Sequence, residues 1–327
     1  MTKPSFEIDI APSAQSSLAA HLPLAVATAE GCYHHAQNFR LPFGIYNVSL
    51  ARICDKLMRL CTRLETYFAI GHAEGVHDQG ASDVMQEVVD YIELSLYAAA
   101  EHVDDIDSIA SGYFANSRLK ASNPAYKSLE KQMKLNKRFV SAAANAIKHQ
   151  QSRIRIFTLD YRQGGTLGCL HGYFLEGVEA GVVCPSSTFH QSQEVFSVTT
   201  LVWEIIAFLL ASSNDLARFL KAIGSRTVHG PVQVQASNFA SAVAAAARLP
   251  LYTFGEQHPF SRIDLRIRSS DGNIQMLRSA LLGTISTRWS QNFPIEFGQQ
   301  TSRFSGDGVS RSFRFVQPKA VVLQHWT

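Results

Sequence analysis

Residues 126–161 read YKSLEKQMKLNKRFVSAAANAIKHQQSRIRIFTLDY, and inside this stretch the hydrophobic period changes. As far as residue 150 the apolar positions Tyr126, Leu129, Met133, Val140, Ala144 and Ile147 recur at helical spacing, forming one stripe at 100° per residue. From Arg153 to Tyr161 apolar and polar residues alternate instead, which is the period of a strand with one buried face. Helical patterns dominate before this junction and strand patterns after it. The expected fold class is therefore α+β, with a helical bundle over residues 1–151 and a mixed region with antiparallel β structure over 152–327.

Upstream, Pro124 opens the helix at 125–150, since proline's fixed φ suits a first helical turn. Two longer helices precede it. One runs over 50–70, with Ile53, Leu57, Leu60, Leu64 and Phe68 on one face; the other runs from a Ser82 cap to Ser111, where Gly112 marks its end. A loop over 71–80 joins them, and residues 1–48 are irregular apart from a strand at 6–10 and a helix around 16–28. Downstream, Gly164-Gly165 turns the chain and strands follow at 167–175 and 177–183. Residues 197–223 form an apolar core helix and 237–248 an Ala-rich one. A strand at 263–267, a turn at Asp271-Gly272, a helix over 275–290 and strands at 312–315 and 320–324 complete the expectation.

Net charge is only +3, so no global field points to nucleic acid or membrane. The local distribution is different. Between Arg63 and Arg118 there is no lysine or arginine, and Glu65 to Asp107 supply eleven acids. From Arg118 onward the sign inverts. Lys127, Lys131, Lys134, Arg138, Ser141, Asn145 and Lys148 fall on one polar stripe of the 125–150 helix, opposite its apolar stripe. Such a stripe is either a track for phosphates or a face neutralised by the acidic helix before it.

The stripe ends in Asn145-Ala-Ile-Lys148-His149, which resembles the polar Asn-x-x-Lys-His signature of HEPN-like helical bundles. That superfamily includes metal-independent endoribonucleases of toxin and phage-defence systems, and many members that bind RNA without cutting it. The resemblance covers roughly residues 50–150. It implies RNA as ligand, a homo-oligomeric assembly, and a site centred on Asn145, Lys148 and His149, with no metal or cofactor. Lys127, Lys131, Lys134, Arg138, Arg153 and Arg155 supply the RNA contacts in this reading. The chain departs from the active pattern at one point, because Ala144 stands where the motif arginine belongs. Arg138 lies eleven residues before His149, about 16 Å along a helix axis. It is too distant to grip the same phosphate. Metal-free cleavage needs a proton carrier, which a histidine supplies, and a fork for developing phosphorane charge, which arginine supplies and lysine does not. A catalytic reading thus requires Arg153 or Arg155 from a second copy.

Other signals are weaker. Cys32, Cys54, Cys61, Cys169 and Cys184 show no CxxC spacing, so reduced thiols and no zinc site are expected. His34-His35, His72 and His77 lack matching ligands. Ser186-Ser187 lacks a nucleophile elbow, and Gly164-Gly165 joins strands and so fails the phosphate-loop context. His171 next to Glu176 and Glu179 reads as a surface or pocket-lining residue, the basis of an alternative small-molecule sensor. The arginines after residue 260, interleaved with Phe304, Phe313 and Phe315, read as the edge of a sheet or a nucleic-acid surface, and the competing class is a non-enzymatic scaffold whose strand-rich half contacts a protein partner. The N-terminus has no apolar leader and residues 198–211 are too short for a span of roughly 20 residues, so a cytoplasmic chain without a membrane partner is expected.

Overall fold

The computed structural model describes residues 5–10, 18–73, 79–163, 166–227, 237–254, 258–268, 274–277, 297–299 and 320–324. After β1 (Ser5–Ile10) and the short α1 (His21–Ala25), the helical half is built on α2 (Pro42–Ala73) and α3 (Gln79–Ser111). Both exceed the sequence expectation. Gly71 and His72, expected in a loop, continue α2, and Gln79 and Gly80 already belong to α3, while His77 lies outside the described residues. Tyr46, Ile53, Leu57, Leu60, Leu64 and Phe68 bury one stripe of α2 against Val88, Ile92, Leu96 and Ala99 of α3. Burying each such side chain contributes about 1.5–3 kcal/mol relative to exposure. Around this seam Arg52 bonds Glu101 at 2.7 Å and Asp105 at 2.8 Å, and Arg63 pairs with Glu87.

The expected third helix is interrupted. α4 (Ser117–Ser122) precedes α5 (Pro124–Asn136), whose N-terminus is capped by Asn123 accepting from the N–H groups of Ala125 and Tyr126. Lys137, at φ −76° and ψ −7°, then separates α5 from α6 (Arg138–His149). The break sits at Asn136, which is buried. Its amide donates to Asp215 Oδ2 at 2.7 Å and its carbonyl oxygen accepts from Arg262. Helical periodicity could not show that this asparagine has tertiary partners.

Two strands follow, β2 (Ile154–Gln163) and β3 (Thr166–Glu179), antiparallel in register from Ile154 opposite Leu175 to Gln163 opposite Thr166. β3 does not stop near Gly177 as expected; it runs on to Ala180 and Gly181, both at positive φ, which turn the chain into β4 (Val182–Pro185). Gly172 of β3 faces Phe157 across the ladder, and a Cβ there would collide with the Phe157 ring. After α7 (Ser187–His190) and β5 (Phe196–Ser197), Ser197 caps α8 (Val198–Ala222).

By length and composition α8 could cross a membrane. In this fold most of it is buried against α3, α5 and α9 (Ser237–Ala247), which makes it the core helix expected from sequence. β6 (Leu251–Phe254), β7 (Ile263–Arg268), β8 (Ile274–Leu277), β9 (Phe297–Gln299) and β10 (Ala320–Gln324) complete the described chain. β9 adds to β2 in the order β4-β3-β2-β9, β10 pairs with β6, and a third sheet has the order β1-β7-β8. Residues 274–277, expected to begin a helix, are therefore strand. Arg266 and Arg268 lie in the central strand and not at an edge, with Arg266 opposite Glu7. The strand expected at 312–315 and the rest of the helix expected to 290 lie outside the described residues. The chain is an α+β mixture, helical before residue 150 and richer in strands after it.

α8 carries two carboxylates into the core, Asp215, which accepts from Asn136, and Glu204. Glu204 is buried, accepting from Ser261 Oγ and, at 2.9 Å, from the Arg262 N–H; burial pushes its carboxyl up to about 7. A folded value above the unfolded one means that the native state holds the proton longer. Its contribution to stability is complete below about pH 4.5 and is lost as pH rises towards 7, with a slope of at most ~1.4 kcal/mol per pH unit. The buried His190 and His258 act in the opposite sense, since burial lowers both, His258 to about 3. Glu204→Gln is therefore expected to remove a falling component from the stability–pH curve. Subtracting its denaturation profile from wild type between pH 4.5 and 7 should leave that component alone, and a flat difference would contradict it.

Candidate nucleic-acid interface

α6 ends at a left-handed residue. Gln151 has φ +56°, and the N–H groups of Gln150 and Ser152 both donate to the Ala146 carbonyl, so the chain reverses within one turn of His149. The residues that α6 buries are Phe139, Val140, Ala143, Ala144 and Ala146. Asn145, Lys148 and His149 remain exposed, as do Lys127, Lys131 and Lys134 of α5 and Arg138 at the start of α6. The apolar and polar stripes read from the sequence thus become a buried and an exposed face.

The acidic helix does not neutralise this face. Of the α3 carboxylates, Glu101 and Asp105 are met by Arg52 of α2, Glu87 by Arg63 of α2, and Asp107 by Lys120 at 2.9 Å. Among the described residues Lys127, Lys131 and Arg138 make no ion pair. Lys134 pairs with Glu130 at 3.1 Å, with both side chains exposed. An exposed pair of this kind contributes little and yields readily to another anion.

Two side chains of α3 join the motif. Lys148 Nζ lies 4.8 Å from the centre of the Tyr97 ring, close enough for a cation–π contact. One turn away, Glu93 accepts from the backbone N–H of Ile154 and lies near Arg153. Burial and the neighbouring Asp90 raise the Glu93 carboxyl, and burial together with Glu93 raises the Tyr97 hydroxyl. Sequence reading assigned neither residue to the site. Their four-residue spacing on one face of α3 was the available signal.

Beyond His149 the surface opens into a polar pocket of about 450 Å³ between the α6–β2 turn, the end of β3 and the start of α7. Its lining includes Gln150, Arg153, Glu176, Glu179, Ser186 and Ser187. Arg153 is exposed at this pocket, as the RNA reading requires. Arg155 is not available to a ligand. It turns inward to Glu176 Oε1 at 3.1 Å, with side-chain exposures of 14% and 8%, so its assignment as an RNA contact is corrected to a structural ion pair. β2 alternation explains this: Arg155 lies on the face opposite Ile154 and Ile156, and β3 places Glu176 beside it.

His171 is also corrected. It is fully buried, stacked on Tyr67 with ring centres 3.9 Å apart, and its Nδ1 meets Thr158 Oγ1 at 2.9 Å. Aromatic rings fill the space in which a sensor pocket was expected. Cys54 and Cys61 are buried with thiols pushed up to about 12, as suits packing. Among the described residues no three His, Cys, Asp or Glu side chains are grouped to hold a metal ion. Comparison with protein-family models, curated proteins and solved structures finds no match to this chain.

Proposed function

We propose that this protein binds single-stranded RNA along the exposed face of α5 and α6, with Asn145, Lys148 and His149 at its centre. The observation that carries the reading is the common exposure of Lys127, Lys131, Lys134 and Arg138 on that face, while Glu87, Glu101, Asp105 and Asp107 of α3 pair with Arg63, Arg52 and Lys120. A row of exposed cations, of which only Lys134 has an exposed carboxylate partner among the described residues, gains free energy by displacing counterions from a phosphate backbone. The resemblance of the 145–149 motif to HEPN-like proteins supports RNA over other polyanions and points to a cytoplasmic defence or toxin-type setting.

The reading is of binding without cleavage by one protomer. Ala144 is buried where the motif arginine belongs, and Arg155 is committed to Glu176. Removing one electrostatic stabiliser of this kind typically costs 10²–10³ in rate. A labelled single-stranded RNA titrated in EDTA, with anisotropy for affinity and gel analysis for integrity, tests both halves of the proposal. The RNA should stay intact, and Lys148→Ala should weaken binding about fivefold at 0.1 M salt, the loss of one phosphate contact. Undiminished binding by Lys148→Ala would remove the motif from the interface. Cleavage abolished by His149→Ala would instead indicate a homo-oligomeric site completed by a second copy's Arg153.

A further inference from the structure

We infer that the pocket beyond His149 seats one guanine base of the bound RNA; this rests on the RNA-binding reading above. The pocket begins one residue after the motif, at Gln150, so a strand following the basic face from Lys127 towards His149 arrives at its mouth. Its volume of about 450 Å³ exceeds that of a single base and leaves room for part of the sugar. The walls carry a charge pattern unsuited to phosphate. Glu176 and Glu179 are both among its lining residues, and Arg153 is the sole cation of the lining. A carboxylate repels phosphate but accepts hydrogen bonds.

Guanine is the base that presents two adjacent donors on its Watson–Crick edge, N1–H and N2–H₂, and a carboxylate accepts both at once. Uracil offers one donor there beside two carbonyl oxygens, which a carboxylate disfavours, while adenine and cytosine each offer one amino group. Glu179 suits the role because it is the exposed carboxylate of the lining, whereas the buried Glu176 already gives its Oε1 to Arg155 at 3.1 Å. Ser186 in the lining is buried, and the exposed Ser187 and Thr188 supply further hydroxyls. Arg153, exposed and next to Glu176 across the β2–β3 ladder, can lie flat against a base or meet its phosphate.

The test compares an oligouridine nonamer with the same nonamer carrying one central guanosine, adenosine or cytidine, at fixed salt, on the full chain. Wild type is expected to prefer the guanosine-containing strand about tenfold, the scale of one bidentate base contact. Glu179→Gln should reduce that preference and Ser187→Trp, which fills the pocket from its rim, should abolish it. Both should leave oligouridine affinity unchanged, which also shows that the variants are folded. Equal affinity for all four strands by wild type overturns the guanine pocket and leaves the basic face standing. A preference that persists in Ser187→Trp overturns it as well, by placing the base elsewhere. No binding of any strand overturns the RNA reading itself.

Discussion

The variant carrying Lys127→Ala, Lys131→Ala, Lys134→Ala and Arg138→Ala is expected to bind single-stranded RNA about 600-fold more weakly than wild type at 0.1 M salt. For single strands each neutralised phosphate contributes about 0.7 to the slope of log affinity against log salt, so four contacts are equivalent to roughly 2.8 decades at that concentration. All four side chains are exposed, and the one ion pair lost is the surface contact with Glu130. Exposed substitutions of this type usually change stability by no more than about 0.5 kcal/mol each. A collapse in affinity with an unchanged unfolding midpoint would therefore assign the loss to the interface. The four single variants should each lose about fivefold, and a single residue carrying the entire effect would argue for a point anchor instead of a track.

The second large effect concerns stability. Arg155→Ala is expected to destabilise the fold by about 3 kcal/mol, because it strands the Glu176 carboxylate in a site where its side chain is 8% exposed. Breaking one side of a buried pair leaves an uncompensated charge, a larger penalty than the net worth of the pair. Replacing both partners with apolar residues, as in Arg155→Met with Glu176→Leu, should recover most of the loss. Urea denaturation of the two single variants and the double variant measures this directly. If the double variant is no more stable than Arg155→Ala, the charge argument fails and side-chain packing accounts for the loss.

Much of this architecture could be read from residue spacing. The stripes of α2, α3 and α8 are long and regular, and Ser197, Asn123 and Pro124 mark helix starts through local chemistry that needs no tertiary information. The change of period at residue 150 located the boundary between helical and strand patterns. What could not be read depended on distant partners. The interruption at Lys137 follows from Asn136 bonding to Asp215 and Arg262, which are remote in the sequence. β8 replaced an expected helix because β7 offered it a ladder edge, and pairing overrides a weak local preference. His171 appeared accessible because strand alternation does not reveal when both faces of a sheet are covered.

For the site, the exposed stripe over residues 127–149 was legible because helix geometry alone separates its polar and apolar faces. Its surroundings were not. Tyr97 and Glu93 come from a helix some fifty residues earlier, and the pocket is assembled from three segments that only the β3–β4 hairpin and α7 bring together. Arg155 shows the limit of a charge count. Arg153 and Arg155 look equivalent in the sequence, yet one is exposed at the pocket and the other is sealed against Glu176.

The most direct measurement is the affinity of the unmodified protein for a single-stranded RNA as salt is raised from 50 to 400 mM in EDTA. If the α5–α6 face carries the backbone, log affinity should fall linearly against log salt with a slope of about −3.5, the sum over five phosphate contacts at Lys127, Lys131, Lys134, Arg138 and Lys148. Binding that is flat across this range, or absent at its lowest salt, would contradict the account.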